Sequence, residues 1–232
     1  MSLKHLKITQ TDDCRVWLSS DWHGYHKNIC AGETVWCKFP IPFKEWIISD
    51  KGACIKFCIE HGVRPFETAE EMTEVIVKNI NEDVKENDIL FFLGDWSFAG
   101  KCNICRLRSA INCKNIHIVV GNHDKEIANH ANEMSSLFTS ISRKMEVYID
   151  DRFVVFDHYA NRVWNRCHQR NNPSIHGHGH SHSKLPPLGR SLDIGIDMYY
   201  KLFGEYRAFI FDKFYEIVKD NEIIKHHENN GD

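Results

Sequence analysis

The stretch Asp88 to Asp95 reads DILFFLGD. Its unbroken apolar run, Ile89 to Leu93, is too short for a typical helix, and such a run describes a strand buried on both faces. It stops at Gly94 and Asp95, a turn former followed by a carboxylate. NIHIVVGNHD, Asn115 to Asp124, repeats the design, and RVWLSSD, Arg15 to Asp21, is a shorter version of it. MEVYID and RFVVFDH flank a polar turn and predict a hairpin whose second strand ends at His158. SLDIGID, Ser191 to Asp197, predicts one more short strand. Between these runs, Thr68 followed by Glu71 is a capping-box pattern, and Met72, Val75, Ile76 and Ile80 continue it at helical spacing. A second helix is predicted within DKFYEIVKDNE near the C-terminus. Strands alternating with helices, without internal repeats or low-complexity linkers, predict an α/β fold with its sheet layered between helices.

Composition narrows the class. The 232 residues are 42% hydrophobic, enough to bury a full core, and a single domain over 1–232 is expected. A formal net charge of -3 gives no global basic field of the kind that non-specific nucleic-acid binding uses, so no stable nucleic-acid complex is expected. No apolar run approaches bilayer length and the N-terminus lacks the apolar core of a signal peptide, so the expectation is a soluble, cytoplasmic protein without a membrane partner. Nine cysteines at irregular spacing suit a reducing compartment, and the Cys102–Cys105 pair, in a predicted helix with no second pair nearby, reads as incidental. Residues 33–62, rich in aromatics and prolines, are too long for a connector and are expected to form a cap over a site or an extra packed unit. His226 and His227 in the tail are expected to be solvated.

The chemistry gathers at strand ends. Asp21 and His23 follow the first strand, Asp95 the second, Asn122, His123 and Asp124 the third, and His158 the fourth. The tract HGHGHSH, His176 to His182, follows another short strand. Ligands of open α/β sheets collect at strand carboxyl ends. Carboxylates and imidazoles without cysteine suit manganese, iron or zinc, and there are more candidate ligands than one ion needs. Two ions bridged by an aspartate make a hydrolytic centre for phosphoryl groups. The plainer alternative, in which the aspartates are helix caps and the histidines are packed singly, must then hold at five loops at once.

The ordered set D-x-H, GD, GNHD, a strand-end histidine and GH-x-H, from about Ser19 to Asp197, resembles the calcineurin-like metallophosphoesterases. Within them, SDWHGYHKNI, RPFETAEEM, LGDW and HYANRVW are similar to the small bacterial and phage phosphoesterases. The resemblance implies a two-sheet α/β sandwich flanked by helices. It also implies two divalent metal ions, with Asp21 and His23 on the first, Asp95 bridging both, and Asn122 and His158 on the second. His123 would contact the phosphate and assist the leaving group, with Asp124 orienting it. GH-x-H fits the tract twice, as Gly177-His178-x-His180 or as Gly179-His180-x-His182. The second fit is preferred because the following residues through Asp197 also resemble the family, and it puts His180 on the second metal and His182 on the first. His26 and Asn28 are either supporting contacts, substrate contacts or plain surface residues. Trp22, Tyr25, Trp36, Phe39, Phe43 and Trp46 are either a nucleobase-stacking set or core of the insertion. The implied activity is hydrolysis of a small phosphorylated substrate, a monoester or a diester, nucleotides included, by water activated between two ions. The alternative is a catalytically silent binding scaffold on the same fold.

Overall fold

The structure, a computed structural model, describes residues 5–224, so His226 and His227 lie outside the described residues. Strands β1 (Leu6–Ile8) and β2 (Val16–Ser19) come first, followed by helices α1 (Phe43–Ser49), α2 (Lys51–His61) and α3 (Ala69–Asp83). Strand β3 (Ile89–Phe92), helix α4 (Lys101–Ala110), strand β4 (Asn115–Val119) and the short helices α5 (Lys125–Asn129) and α6 (Ala131–Met134) follow. The chain then runs through β5 (Ser140–Ser142), β6 (Lys144–Ile149), β7 (Arg152–Asp157), β8 (Ile175–His178) and β9 (Ser191–Asp193). It closes with α7 (Ile196–Phe203), β10 (Phe209–Ile210) and α8 (Phe211–Val218). The strands form two five-stranded sheets in the orders β10-β2-β3-β4-β5 and β1-β6-β7-β8-β9. Both are mixed. β2 to β5 are parallel with β10 antiparallel at the edge, while the β6–β7 pair is the antiparallel element of the other sheet.

The apolar run of β3 explains the layering. Phe91 and Leu93 join Val16, Leu18, Val147, Val154, Phe156 and Ile175 in the core between the sheets. Leu90 and Phe92 point the other way and pack with Met72, Ile76 and Ile80 of α3 and Ile104 and Leu107 of α4. Alternate residues thus serve two interiors, which is why the run is continuous. Each such side chain, fully buried, contributes roughly 1.5–3 kcal/mol relative to exposure. The other sheet carries a smaller outer cluster of Phe153, Val155, Trp164 and Cys167. The fold is therefore the expected α/β sandwich flanked by helices.

Local signals account for the edges of these elements. Thr68 caps α3 by accepting a hydrogen bond from the Glu71 N–H at 3.1 Å, while the Glu71 carboxylate reaches back to the N–H of Glu67 at 2.9 Å, one residue before the cap. Asp150 and Asp151 turn the β6–β7 hairpin with φ of 47° and 62°, the signature of a two-residue type I′ turn. SLDIGID departs from expectation. Its strand is only Ser191–Asp193, and Ile196 and Asp197 already open α7. The cysteines are all free, and Cys102 and Cys105 are exposed on α4. Residues 33–62 form α1, α2 and the loop before them, with a core of their own in which Phe43, Cys54 and Cys58 pack with Phe39, Trp46 and Ile47. No helix among the described residues is long and apolar enough to cross a membrane.

Parallel pairing of β2, β3 and β4 sends their carboxyl ends to one edge, and the pairing continues into the loops beyond. Asp21 N donates to Gly94 O at 2.9 Å, His23 N to Asp95 O at 3.0 Å and Gly24 N to Trp96 O at 3.1 Å. The two loops run side by side, out of step by one residue at Trp22.

Candidate metal centre

The loops after β2, β3, β4, β7 and β8 meet at that edge. Two groups of ligand-type atoms result, Asp21 with His23 and His182, and Asp95 with His158 and His180. Asp95 joins them, because its Oδ2 lies 3.5 Å from His23 Nε2 and 3.5 Å from His158 Nε2. Its other oxygen, Oδ1, accepts the His123 backbone N–H at 2.9 Å, so the carboxylate is held at one end and presents the other. Asn122 Oδ1 stands 3.0 Å from His158 Nε2, beside the second group.

Donor chemistry favours a cation in each group. His158 turns Nδ1 to the carbonyl of Leu93 at 2.7 Å, which fixes Nδ1 as the N–H and leaves Nε2 a lone pair. That lone pair faces Asn122 Oδ1 and Asp95 Oδ2, both acceptors. His182 is oriented in the same way, but its Nε2 holds a proton at neutral pH until a cation takes its place: Nδ1 is 2.6 Å from Asp197 Oδ2, and Nε2 faces His23 Nε2 at 3.2 Å and Asp21 Oδ1 at 3.9 Å. Acceptors converging on a point without a donor repel one another unless a proton or a metal ion lies among them. The residues present therefore fit two divalent cations.

The backbone is bent to make this convergence. Asp21, His23, Asp95, His180 and His182 all have positive φ, between 45° and 66°. Each left-handed non-glycine residue costs about 1 kcal/mol or more, and such strain gathers where geometry serves a ligand. Close approach does the rest. A Cβ on Gly179 would lie 2.1 Å from Ser20 Oγ and 2.5 Å from Asp21 Oδ2, so only glycine lets the histidine loop reach the end of β2. His180 N then donates to both Asp21 oxygens, at 3.1 and 3.0 Å.

The tract HGHGHSH divides by position. His176 and His178 are buried in β8; His176 Nδ1 contacts Val155 O at 2.9 Å and His178 Nδ1 contacts Gly179 O at 3.1 Å. His180 and His182 lie beyond the strand and enter the two groups, whereas His178 enters neither. Asp193, on the neighbouring strand, holds this loop by accepting from Ser181 Oγ and from Ser183 N at 2.9 Å.

His123 is exposed, with its ring centroid 5.4 Å from that of His23. Asp124 requires a correction. Its carboxylate is buried and accepts from the backbone N–H groups of Asp95 at 2.7 Å, Trp96 at 2.9 Å and Gly121 at 2.8 Å. It pins the GD loop to the GNHD loop rather than orienting the His123 ring. Three fixed backbone donors in a buried pocket outbid a contact to an exposed side chain.

Two residues that sequence reasoning did not single out complete the site. Arg64, buried between α2 and α3, donates to Asp21 O at 2.6 Å, to Trp22 O at 2.7 Å, and through Nε and Nη2 to the Asp197 carboxylate at 2.9 and 2.7 Å. Asp197 in turn holds His182. A charge so deeply buried is tolerated because Nε, Nη1 and Nη2 each find an oxygen. The sequence signal was present in the RPF and DIGID fragments, but their pairing spans 133 residues. His26 stacks on Phe98 with centroids 3.7 Å apart, and Asn28 Oδ1 accepts the Val35 N–H at 3.3 Å. Trp22 and Phe43 are core, and Phe39 and Trp46 pack within residues 33–62; Tyr25 lies under Arg106, and Trp36 alone of the six is exposed.

Electrostatics match a site built for cations. Burial pushes the Asp21 carboxyl up to about 7, partly offset by His182. Burial alone would lower His182, but the Asp197 hydrogen bond and the Asp197 and Asp21 charges raise it to about 9. Burial depresses His23 and, less strongly, His180, which keeps both imidazoles neutral.

Two layers of mixed sheet with paired Asp/His groups at one edge define a metal-binding α/β sandwich. Residues 14–231 match the family described as calcineurin-like phosphoesterase, and the chain belongs to that family. It is 37% identical over 84 residues to the uncharacterized protein MJ1445 of Methanocaldococcus jannaschii, a match covering 35% of this chain and 47% of that protein. The chain thus spans about half the length of that curated relative. The crystal structure of the protein of unknown function AQ665 from Aquifex aeolicus superposes with a TM-score of 0.54 at 17% identity, covering 88% of this chain and 100% of that one, a likeness of fold.

The separation of His178 from His182 is measurable. His182→Ala is expected to lower bound metal by about one ion per chain at micromolar manganese, and His178→Ala to leave it unchanged, by elemental analysis of dialysed protein. The exchanged result would put His178 in the site. His182 also makes metal uptake pH-dependent. Its folded value lies above the ordinary 6.5, so in the metal-free protein its contribution to stability is full below about pH 6.5 and lost as pH rises through about 9. Manganese must displace that proton, so binding at pH 7.5 releases about one proton from this group. Calorimetry in two buffers of different ionisation enthalpy reads the release, and identical heats in both would refute it.

Proposed function

We propose that this chain hydrolyses phosphate esters at a centre of two divalent cations. The observation that carries the reading is Asp95 Oδ2 standing 3.5 Å from an imidazole nitrogen of each ligand group. Asp21, His23 and His182 would hold one ion, Asn122, His158 and His180 the other, and Asp95 both. The oxygen and imidazole donor set suits manganese, iron or zinc. When bound, the cations supply Lewis acidity toward the phosphoryl oxygens and lower the pKa of coordinated water.

The chain's own residues do the rest. The buried carboxylates of Asp21 and Asp95 fix the charge and position of the site, and the strained loops hold their oxygens in place before substrate arrives. Arg64 and Asp197 lock the His182 ring so that Nε2 faces the ions. His123 stands at the open side, within reach of a phosphoryl or leaving oxygen, where a ring N–H offsets developing negative charge or gives up its proton to the departing group. The substrate class is a small phosphorylated molecule, monoester or diester, nucleotides included. Residues 33–62 act as a cap beside the site of one catalytic domain. Nine free cysteines fit a cytoplasmic setting.

Asp95→Asn tests the shared ligand. In manganese-saturated protein it should reduce phosphoester turnover by roughly 100-fold or more while the far-ultraviolet spectrum stays unchanged. A loss below tenfold would remove Asp95 from the bridging role. His123→Ala should keep both ions and lose roughly 100-fold in kcat; departure of an ion would make His123 a ligand.

A further inference from the structure

Beside the first ligand group lies a cavity of about 510 Å³, a size ordinary for small-molecule sites. Its wall includes His23, His26, Trp36, Phe98, His123 and His182, so ligand side chains and aromatic rings share one space. The rings form a connected series. Trp36 meets His26 edge-on at 5.4 Å between centroids, His26 stacks on Phe98 at 3.7 Å, and Phe98 reaches His123 at 5.2 Å. Among the described residues, no carboxylate lines the cavity.

Trp36 is the telling residue. It is 56% exposed and is absent from the insertion's core cluster, although Cys37, Phe39 and Trp46 beside it in sequence belong to that cluster. Its loop is tied beside the site by the Val35 N–H, which donates to Asn28 Oδ1, and is turned locally by the Trp36 N–H, which donates to Thr34 Oγ1 at 3.1 Å. Lys184, just past the histidine loop, ties the insertion down by donating to Ile59 O at 2.8 Å. A large ring thus held exposed over the site has a hydrophobic cost that packing inside the insertion would have avoided. His26, also in the wall, is 7% exposed, and its buried Nδ1 has no hydrogen-bond partner among the described residues.

We propose that this cavity is a substrate subsite for a nucleobase, the planar aromatic part of a phosphate ester, with Trp36 as its specificity-determining wall. The inference rests on the phosphoesterase reading and names its substrate class. A phosphoryl group at the cations leaves the organic part of the ester facing the cavity, because His23 and His182 belong to both. Base–aromatic stacking tolerates different bases, so the subsite selects for a base over none rather than for one base.

Binding tests this without turnover. The manganese-loaded protein is titrated calorimetrically with the non-hydrolysable phosphonate analogues of adenosine 5′-monophosphate and of ribose 5-phosphate. The adenosine analogue is expected to bind roughly 10-fold more tightly, Trp36→Ala to remove that preference, and Trp36→Phe to retain most of it. Equal affinities in the unaltered protein would overturn the proposal. So would a Trp36→Ala variant that weakens both analogues alike, since that outcome marks a structural role. The two readings fail separately. A base preference in a protein that cleaves no phosphate ester would sink the hydrolase reading alone, and hydrolysis without base preference would sink the subsite alone.

Discussion

The Asp95 carboxylate is the contact on which the site depends. Its backbone sits at φ 60°, its N–H is held by Asp124, Oδ1 is fixed by the His123 N–H, and Oδ2 is left between two imidazoles. Five of the proposed ligands share the left-handed conformation. At about 1 kcal/mol or more each, their strain comes to about 5 kcal/mol, comparable with the whole net stability of a small domain. A sequence under no demand for this geometry would relax it. The strain is offset by the two apolar layers on either face of β3, and cation binding adds stability in proportion to occupancy.

Held that way, the centre is a product of topology. Parallel pairing of β2, β3 and β4 brings Asp21, Asp95 and Asn122 to one edge, and the second sheet delivers His158, His180 and His182 to the same place. Asp124, Asp193 and the Arg64–Asp197 pair then tie loop to loop. Each is a charged group largely withdrawn from solvent and satisfied by hydrogen bonds or by an opposite charge, and each fixes a residue of the two ligand groups or the loop that carries it.

The sequence was legible where the signal is local. The apolar runs of β2, β3 and β4, the Thr68 cap of α3 and the paired aspartates of the hairpin turn are each written within a few consecutive residues, and each became the expected element. The D-x-H, GD and GNHD loops were legible because strand ends carry polar residues directly after apolar ones. What was hidden is pairwise and distant. Arg64 and Asp197 are ordinary letters until folding joins them, and Asp124, next to His123 in sequence, has its carboxylate drawn to the backbone of another loop. SLDIGID misleads because three strand residues and a helix start share one apolar pattern. Trp36 cannot be told from Trp46 by composition, since both lie in one aromatic segment and only packing decides which is core.

The central claim is that one carboxylate joins two cations. Electron paramagnetic resonance of the protein loaded with manganese addresses it directly, because two Mn²⁺ ions sharing a carboxylate are exchange-coupled. The account predicts two ions per chain with a coupled signal that reverts to that of isolated Mn²⁺ in Asp95→Asn. A single ion per chain, or two ions whose spectrum is uncoupled in the unaltered protein, would contradict it.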